Sequence, residues 1–243
     1  MKKYMKTIKC FYDPIVSKNS QLIKFSNDSV KLIELWKKSW RDNGWDPIVL
    51  SLEDSKQHPF YSAIDLIDYS SNLYKNSLNS HEYLELCYSR WFAYGCSNGG
   101  WSDYDVMNYG FTPDRMKSLI TKDPEFIDNI GSCGFASMGG YDVIINRFID
   151  VYNGNSKILE DILTRLTKHN APQDISDMHI HRASESPIKF PDPKIKEPIC
   201  TDNFSSQEWK TSPLVHFHNG LWASIDKKNY QTRSNFIKTE RPV

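Results

Sequence analysis

The first fifty residues contain two short apolar runs separated by a helical pattern, and this order constrains the fold more than any other feature. Residues 8–16 and 45–52 are the apolar runs, and turn residues bound them, which predicts two strands. Between them, large apolar residues recur at helical spacing after a capping residue, Asn27 or Asp28, and the helix is predicted to end at Asn43 and Gly44. A strand, a helix and a second strand in this order favour a parallel pair joined by a crossover helix.

The rest of the chain continues the alternation of strands and helices. Helices are predicted over 80–94, 141–152 and 156–168, strands over 101–107 and 135–138, and a last compact apolar segment over 214–222. Residues 182–213 are polar and carry five prolines, which predicts an irregular loop or lid, and the tail after residue 222 is also predicted to be irregular. We therefore expect one α/β domain over residues 1–243, with a mixed, mainly parallel central sheet flanked by helices.

The charge balance argues against one class of function. Thirty basic and thirty acidic residues give zero formal net charge, so nucleic acid or an anionic membrane is not expected to be captured by charge alone. No stretch approaches the roughly 18 apolar residues of a membrane helix, and the N-terminus lacks the apolar run of a secretory signal. The five cysteines are widely spaced without a Cys-x-x-Cys pair, which is typical of a reducing compartment. We expect a cytoplasmic protein without a membrane span.

Two aspartates, Asp103 and Asp105, occupy alternate positions of the strand predicted over 101–107, directly after the pair Gly99-Gly100. Alternate residues of a strand share one face, so the two carboxylates are expected side by side. Carboxylates so close repel each other unless a cation lies between them. Such oxygen ligands suit Mg²⁺ or Mn²⁺, which complete their coordination with water and substrate phosphates. Taken alone, the pair is also compatible with two unrelated acidic residues at the end of a strand.

The residues around this pair carry a resemblance to a known family. The runs RWFA (90–93), GG (99–100) and SDYDV (102–106) resemble the sugar-binding region of DXD-motif glycosyltransferases with the GT-A fold, such as cytotoxin glucosyltransferase domains and mannosyltransferases. The run LVHFHNGLW (214–222) resembles the late histidine-containing segment that supplies a metal ligand in retaining members of that group. The resemblance implies a GT-A-like domain that binds a nucleotide-sugar donor together with Mn²⁺ or Mg²⁺.

The resemblance also implies roles for individual residues. It implies that the metal is held by Asp103, Asp105 and His216 or His218, that the donor contacts Arg90, Asp103 and Trp222, and that Arg90 and Asp177 act at the reacting sugar. The two histidines would share one face of an extended segment, so spacing does not separate them, although the analogy favours His216. Tyr12 lies near the carboxyl end of the first predicted strand, the end where α/β sheets bind ligands, and would stack on the donor base.

The implied reaction is transfer of a sugar, with retention of configuration, from a nucleotide sugar to an acceptor hydroxyl. A glycan, a protein or a hydroxymethylated base of viral DNA would serve as acceptor, and the last would place the protein in a virus-infected host cell. Lys37, Lys38 and Arg41 are candidates for a local basic groove that would serve such DNA.

Two alternatives remain open at the level of sequence. The first is a zinc-dependent hydrolase built on His179-x-His181 and His216-x-His218 with Asp177, because imidazole ligands suit zinc. The second is a carbohydrate-binding module in which the seven tryptophans form an aromatic platform.

Overall fold

The computed structural model describes residues 6–14, 20–67, 81–119, 126–127, 132–152, 200–201, 207–218 and 232–243, together with Lys157, Thr164 and Asp177. Two compact units are distinguished by their internal contacts. The sheet unit comprises Met1–Val49, Gly99–Phe135 and Lys189–Val243, and the helical unit comprises Leu50–Asn98 and Ala136–Ile188.

The described elements follow one another along the chain as β1 (Thr7–Phe11), α1 (Ser20–Asp42), β2 (Asp46–Leu50), α2 (Leu52–Ser55), a 3₁₀ helix (Tyr61–Leu66), α3 (His81–Gly95), β3 (Gly99–Ser102), β4 (Val106–Asn108), α4 (Pro113–Leu119), β5 (Phe126–Ile127), β6 (Cys133–Ala136), α5 (Met138–Tyr152), β7 (Cys200–Thr201), a second 3₁₀ helix (Gln207–Lys210), β8 (Leu214–His216) and α6 (Arg233–Glu240). No helix in these described ranges is long and apolar enough to cross a bilayer.

The sheet unit contains two sheets. The larger has five strands in the order β2-β1-β3-β6-β5, and the smaller has three in the order β4-β8-β7. Strands β1 and β3 are parallel, with Ile8 opposite Gly100, whereas β5 and β6 are antiparallel. The predicted α/β class and the predicted mixed, mostly parallel sheet are therefore confirmed.

Tryptophans in and directly after helix α1 lie in the core of the sheet unit. Each of them donates a hydrogen bond from its indole N–H group. Trp36 donates to Ser102 Oγ over 2.8 Å and Trp40 donates to the Val106 carbonyl over 3.1 Å. Trp45, which follows the helix, donates to the Phe111 carbonyl over 2.7 Å. A buried indole needs such a partner, so each tryptophan fixes both the packing and the position of the residue to which it is bonded.

The tryptophans do not form the aromatic platform that a carbohydrate-binding module would need. Six of the seven lie in the described residues, and all six are buried, namely Trp36, Trp40, Trp45, Trp91, Trp101 and Trp209. The seventh, Trp222, lies outside the described residues. Rings that are enclosed by the core offer no face to a sugar, so this alternative loses its basis.

The structure corrects the predicted boundaries at the N-terminal end. Strand β1 ends at Phe11 rather than at residue 16, and α1 begins at Ser20 rather than at Asn27 or Asp28. Asp28 lies inside the helix, where its carboxylate accepts hydrogen bonds from the backbone amides of Arg233 and Ser234. A long-range contact therefore takes the capping group that local propensity assigned to the start of α1.

The prediction of one strand over 101–107 is wrong, because the chain changes sheet within it. Strand β3 ends at Ser102 in the larger sheet, and β4 begins at Val106 in the smaller one. The three residues between them form a turn, closed by a hydrogen bond of 3.0 Å from the Val106 amide to the Asp103 carbonyl.

Regular structure also occurs where the sequence predicted irregular chain. Cys200–Thr201 and Gln207–Lys210, within the segment 182–213, form a strand and a 3₁₀ helix, and the tail contains α6. The other residues of that segment before 211 lie outside the described residues.

The helical unit is held by aromatic packing between α3 and α5. The ring of Phe148 in α5 meets two rings of α3, with centroid distances of 5.4 Å to Tyr88 and 6.0 Å to Trp91. Both rings of α3 are fully buried, so this contact is central to the stability of the unit.

Candidate metal centre

The turn Asp103–Asp105 follows the carboxyl end of β3, and both of its flanks are fixed by α1. Trp36 binds Ser102 on one side of the turn and Trp40 binds Val106 on the other, one helical turn further along α1. The Asp103 amide also donates to the Ser132 carbonyl over 2.8 Å. The two flanks of the acidic turn are therefore tied to α1, and its backbone is tied to a neighbouring segment at Ser132.

His216 reaches the same place through the register of the smaller sheet. Strands β4 and β8 are antiparallel, with Val106 opposite His216. The next amide, that of Phe217, donates to the Asp105 carbonyl over 2.9 Å and extends the pairing to the turn. A shift of one residue in this register would turn His216 to the other face of the sheet, so the pairing itself selects the histidine.

The side chains of Asp103, Asp105 and His216 converge. The Nε2 atom of His216 lies 3.3 Å from Asp105 Oδ1 and 4.0 Å from Asp103 Oδ2. One ligand atom from each residue lies within 4.8 Å of the other two, and no other group of three or more His, Cys, Asp or Glu residues in the described part of the chain meets this condition. Two carboxylates and one imidazole at this spacing can hold a divalent cation, and nothing in their geometry selects Mn²⁺ over Mg²⁺.

His218 is not part of this group, although spacing in the sequence does not distinguish it from His216. Its ring lies beside that of His216, with 5.2 Å between the centroids and 48° between the planes. Strand β8 ends at His216, so the regular alternation that would have put both histidines on one strand face does not continue to His218. Of the two histidines, only His216 belongs to the group of possible metal ligands in the described residues.

Arg233 completes the surroundings of Asp105, and sequence reasoning missed it. Its Nη1 atom donates to Asp105 Oδ2 over 2.8 Å and to the Phe217 carbonyl over 3.2 Å. Arg233 is the first residue of α6, whose N-cap Thr232 accepts a hydrogen bond from the Asn235 amide. A threonine at this position is a recognised start signal for a helix, so the helix could have been predicted from sequence, but the contact with Asp105 could not.

The electrostatics of Asp105 follow from these neighbours. Burial opposes ionisation of its carboxyl group, but His216 and Arg233 more than offset that cost and hold its pKa below the usual value. Arg233 shows the reciprocal effect: burial lowers its pKa, but Asp105, Tyr104 and Asp28 together outweigh that and raise it. Asp105 is therefore kept as a carboxylate, which is the form that binds a cation.

Tyr12 lies at the same edge of the larger sheet. It follows β1, and its ring meets that of Tyr104 edge-on, with 5.7 Å between the centroids. Because β1 and β3 are parallel, the residues after them belong to one edge, where open α/β sheets bind ligands. Tyr12 is thus placed next to the turn that carries Asp103 and Asp105.

Arg90 and Asp177 meet each other in the helical unit. Asp177 is buried, and its Oδ2 atom accepts hydrogen bonds from Arg90 Nε over 2.9 Å and from Trp91 Nε1 over 2.7 Å. The structure thus joins two residues that the resemblance assigned to the reacting sugar, in a buried ion pair.

The remaining predicted residues give a mixed result. Trp222, His179 and His181 lie outside the described residues. Of the two His-x-His pairs, only His216 contributes to a metal group in the described part of the chain.

In the proposed basic groove, Lys37 pairs with Glu34 and Lys38 pairs with Asp42 on the same helix, which weakens the local positive charge.

Fold and site together define an α/β protein with a candidate divalent-metal centre at the edge of its sheet. Comparison with protein-family models shows the particular family: the chain belongs to DUF8765, a domain of unknown function, whose model matches residues 1–126. The match includes Asp103 and Asp105 and ends before His216 and Arg233. A search of curated proteins found no match.

Proposed function

We propose that this protein is a metal-dependent glycosyltransferase that moves a sugar from a nucleotide-sugar donor to an acceptor hydroxyl. The observation that carries the proposal is the convergence of Asp103, Asp105 and His216 from a turn and a distant strand. The sequence resemblance to GT-A enzymes names these same residue types as metal ligands, and the contacts of the fold bring them within coordinating reach independently of that resemblance.

The position of the centre supports a nucleotide ligand. Asp103 and Tyr12 follow two parallel neighbouring strands, at the edge where α/β sheets bind nucleotides. Within the centre, the Asp103 side chain is 26% exposed and that of Asp105 is 12% exposed. Asp103 therefore faces the more open side, from which a diphosphate would approach, and Tyr12 offers an aromatic ring beside it for the base.

The chain's own residues perform binding and orientation in this proposal. Asp105 and His216 form the buried side of the centre, and their positions are fixed by the β4–β8 pairing and by Arg233. A bound cation would neutralise charge on the departing nucleotide. The donor set combines two carboxylates with one imidazole, and its carboxylates suit either Mn²⁺ or Mg²⁺.

The proposed roles of Arg90 and Asp177 at the sugar rest only on the resemblance. The proposed retention of configuration rests on it as well. We propose a nucleotide sugar as the donor. The proposed acceptor is a glycan, a protein or a hydroxymethylated DNA base.

The decisive experiment is calorimetric titration of the protein with a panel of UDP-, GDP- and other nucleotide sugars, with and without Mn²⁺. The test variant is Asp103→Asn, which removes one ligand charge from the open side of the centre. The matched control is Asp42→Asn, an exposed aspartate of α1 in the same unit whose partner is Lys38. Metal-dependent binding of one donor, lost in the test variant and kept in the control, is expected.

Other outcomes would change the proposal in defined ways. Absence of binding to every donor, with and without Mn²⁺, would overturn the transferase. Purified protein that carries stoichiometric zinc and binds no nucleotide sugar would favour the hydrolase instead.

A further inference from the structure

Arg233 is a buried arginine that contacts both sides of the candidate metal centre. A single atom, Nη1, donates to the Asp105 carboxylate and to the carbonyl of Phe217, the residue that follows His216. The two ligands come from different segments, and Arg233 bonds to both segments at once. Its side chain is only 6% exposed, so these bonds do not compete freely with water.

The contact divides the two oxygens of Asp105 between two partners. Oδ2 lies 2.8 Å from Arg233 Nη1, whereas Oδ1 lies 3.3 Å from His216 Nε2. A carboxylate held at one oxygen cannot rotate freely, so the other oxygen keeps its direction toward the histidine. Ligating carboxylates commonly owe their orientation to such a hydrogen-bonded partner.

Arg233 is itself anchored from behind by α1. The carboxylate of Asp28 accepts from the Arg233 amide over 3.1 Å and from the Ser234 amide over 3.3 Å. Asp28 also lies 3.9 Å from the Arg233 Nε atom. These contacts hold the first turn of α6 against α1, and Thr232 caps the same turn. The guanidinium group therefore starts from a rigid base.

We propose that Arg233 is a positioning residue of the metal centre, which sets its cation affinity by holding Asp105 with one oxygen turned toward His216. This inference rests on the metal centre of the proposed function, and it adds α6, at the far end of the chain, to that centre.

Two physical effects of Arg233 have opposite signs, which makes the inference testable. Its positive charge repels a cation, so removal of the charge alone would tighten metal binding. Its hydrogen bonds orient a ligand, so removal of the bonds would weaken metal binding by about 10- to 100-fold. The inference states that orientation prevails.

The experiment measures Mn²⁺ affinity by calorimetry, with no nucleotide present, for the wild-type protein and for Arg233→Met, Arg233→Lys and Arg241→Met. The last is the matched control, because Arg241 ends the same helix, donates to the carbonyls of Trp209 and Ser212 and stacks on Tyr109, but makes no contact with Asp105. We expect a loss of about 10- to 100-fold in Mn²⁺ affinity for Arg233→Met, partial recovery for Arg233→Lys, and wild-type affinity for the control.

The electron paramagnetic resonance spectrum of bound Mn²⁺ gives a second readout that general loss of stability would not move. It should change in the Arg233 variants and stay unchanged in Arg241→Met. If Arg233→Met does not fold, the lysine variant and Asp28→Asn, which loosens the anchor, are compared by the same two measurements, and weaker binding in both is expected.

The outcomes separate this inference from the proposed function. A wild-type protein that binds no Mn²⁺ would overturn the metal centre and the inference with it. A wild-type protein that binds Mn²⁺, beside an Arg233→Met variant that binds equally or more tightly, would overturn the inference alone. Equal losses in Arg233→Met and Arg241→Met would reduce Arg233 to a packing role.

Discussion

Trp36 and Ser102, which are 66 residues apart in the chain, are joined inside the core by a hydrogen bond of 2.8 Å from the indole Nε1 atom to the hydroxyl oxygen. Ser102 is the last residue of β3, and the next residue is the candidate ligand Asp103. The same face of α1 presents Trp40, which binds Val106 on the far side of the turn. The helix thus determines the spacing of the two ends of the segment that carries both aspartates.

Substitution of Trp36 by phenylalanine should damage the metal centre from a distance. The variant keeps an aromatic ring but loses the N–H donor and some volume, which should lower the free energy of unfolding by about 2 kcal/mol. It should also lower Mn²⁺ affinity, because one flank of the Asp103–Asp105 turn is released. Calorimetric titration and urea denaturation measure the two effects.

The control for Trp36 is Trp45→Phe, which breaks the comparable bond to the Phe111 carbonyl. It should cost similar stability and leave Mn²⁺ affinity unchanged, since Phe111 is not next to a candidate ligand. Equal loss of metal affinity in both variants would mean that general stability, not the flank of the turn, is responsible.

His216, the last residue of β8, and His218, two residues after it, should differ sharply as metal ligands. Only His216 places a nitrogen 3.3 Å from Asp105, so His216→Gln should abolish the rise in melting temperature that Mn²⁺ produces in the wild-type protein. His218→Gln should keep most of that rise. Chelation with EDTA should return the wild-type melting temperature to its metal-free value. A loss confined to His218→Gln would assign the ligand to the other histidine.

The candidate site was only partly predictable from sequence, and each part has its own reason. Asp103 and Asp105 were found from a local motif, although the reason first given for their proximity, a shared strand face, is wrong, because they lie in a turn between two sheets. The choice of His216 over His218 depends on the register between β4 and β8, which a single sequence does not encode in any local pattern.

Arg233 could not have been found by any local reading. Its partners Asp105 and Asp28 are 128 and 205 residues away, and an arginine in a polar tail is ordinarily exposed. The same long-range contact explains why the start of α1 was predicted wrongly. Aspartate is a common N-cap residue, but Asp28 accepts hydrogen bonds from the first residues of α6 instead. The alternation of strands and helices was predictable, because it depends on local periodicity, whereas tertiary partners moved the element boundaries.

His58 in the helical unit should make stability fall as the pH is lowered. Burial lowers its pKa below 6.5, and Asp142 opposes that shift only in part. Its Nδ1 atom accepts from the Phe60 amide over 3.3 Å, which requires the neutral ring at that nitrogen. Below pH 6.5 the unfolded chain therefore binds a proton that the folded protein does not, so the free energy of unfolding decreases until the pH passes the folded-state pKa.

Urea denaturation between pH 5.5 and 7.5 tests this for the wild-type protein and for His58→Gln, which should show a shallower dependence. Asp142→Asn removes the partner that raises the pKa, so a nuclear magnetic resonance titration of the His58 ring should give a lower midpoint in that variant. An unchanged midpoint would show that the contact of 3.3 Å between His58 Nε2 and Asp142 Oδ1 has no electrostatic effect.

Asp177 should be worth several times more to stability than an exposed ion pair, because it is buried and one of its oxygens serves two residues. Arg90 Nε and Trp91 Nε1 both donate to Oδ2, and the Arg90 side chain is only 14% exposed. Asp177→Asn still accepts from Trp91 but leaves the guanidinium charge without its counter-charge, so a loss of about 3 kcal/mol in the free energy of unfolding is expected.

The double variant Arg90→Met with Asp177→Asn removes both charges and should recover part of that loss, because no unpaired charge remains buried. Urea denaturation of the two single variants and the double variant completes the cycle. Strictly additive losses would show that the pair is not coupled, and the buried charge would then need another partner.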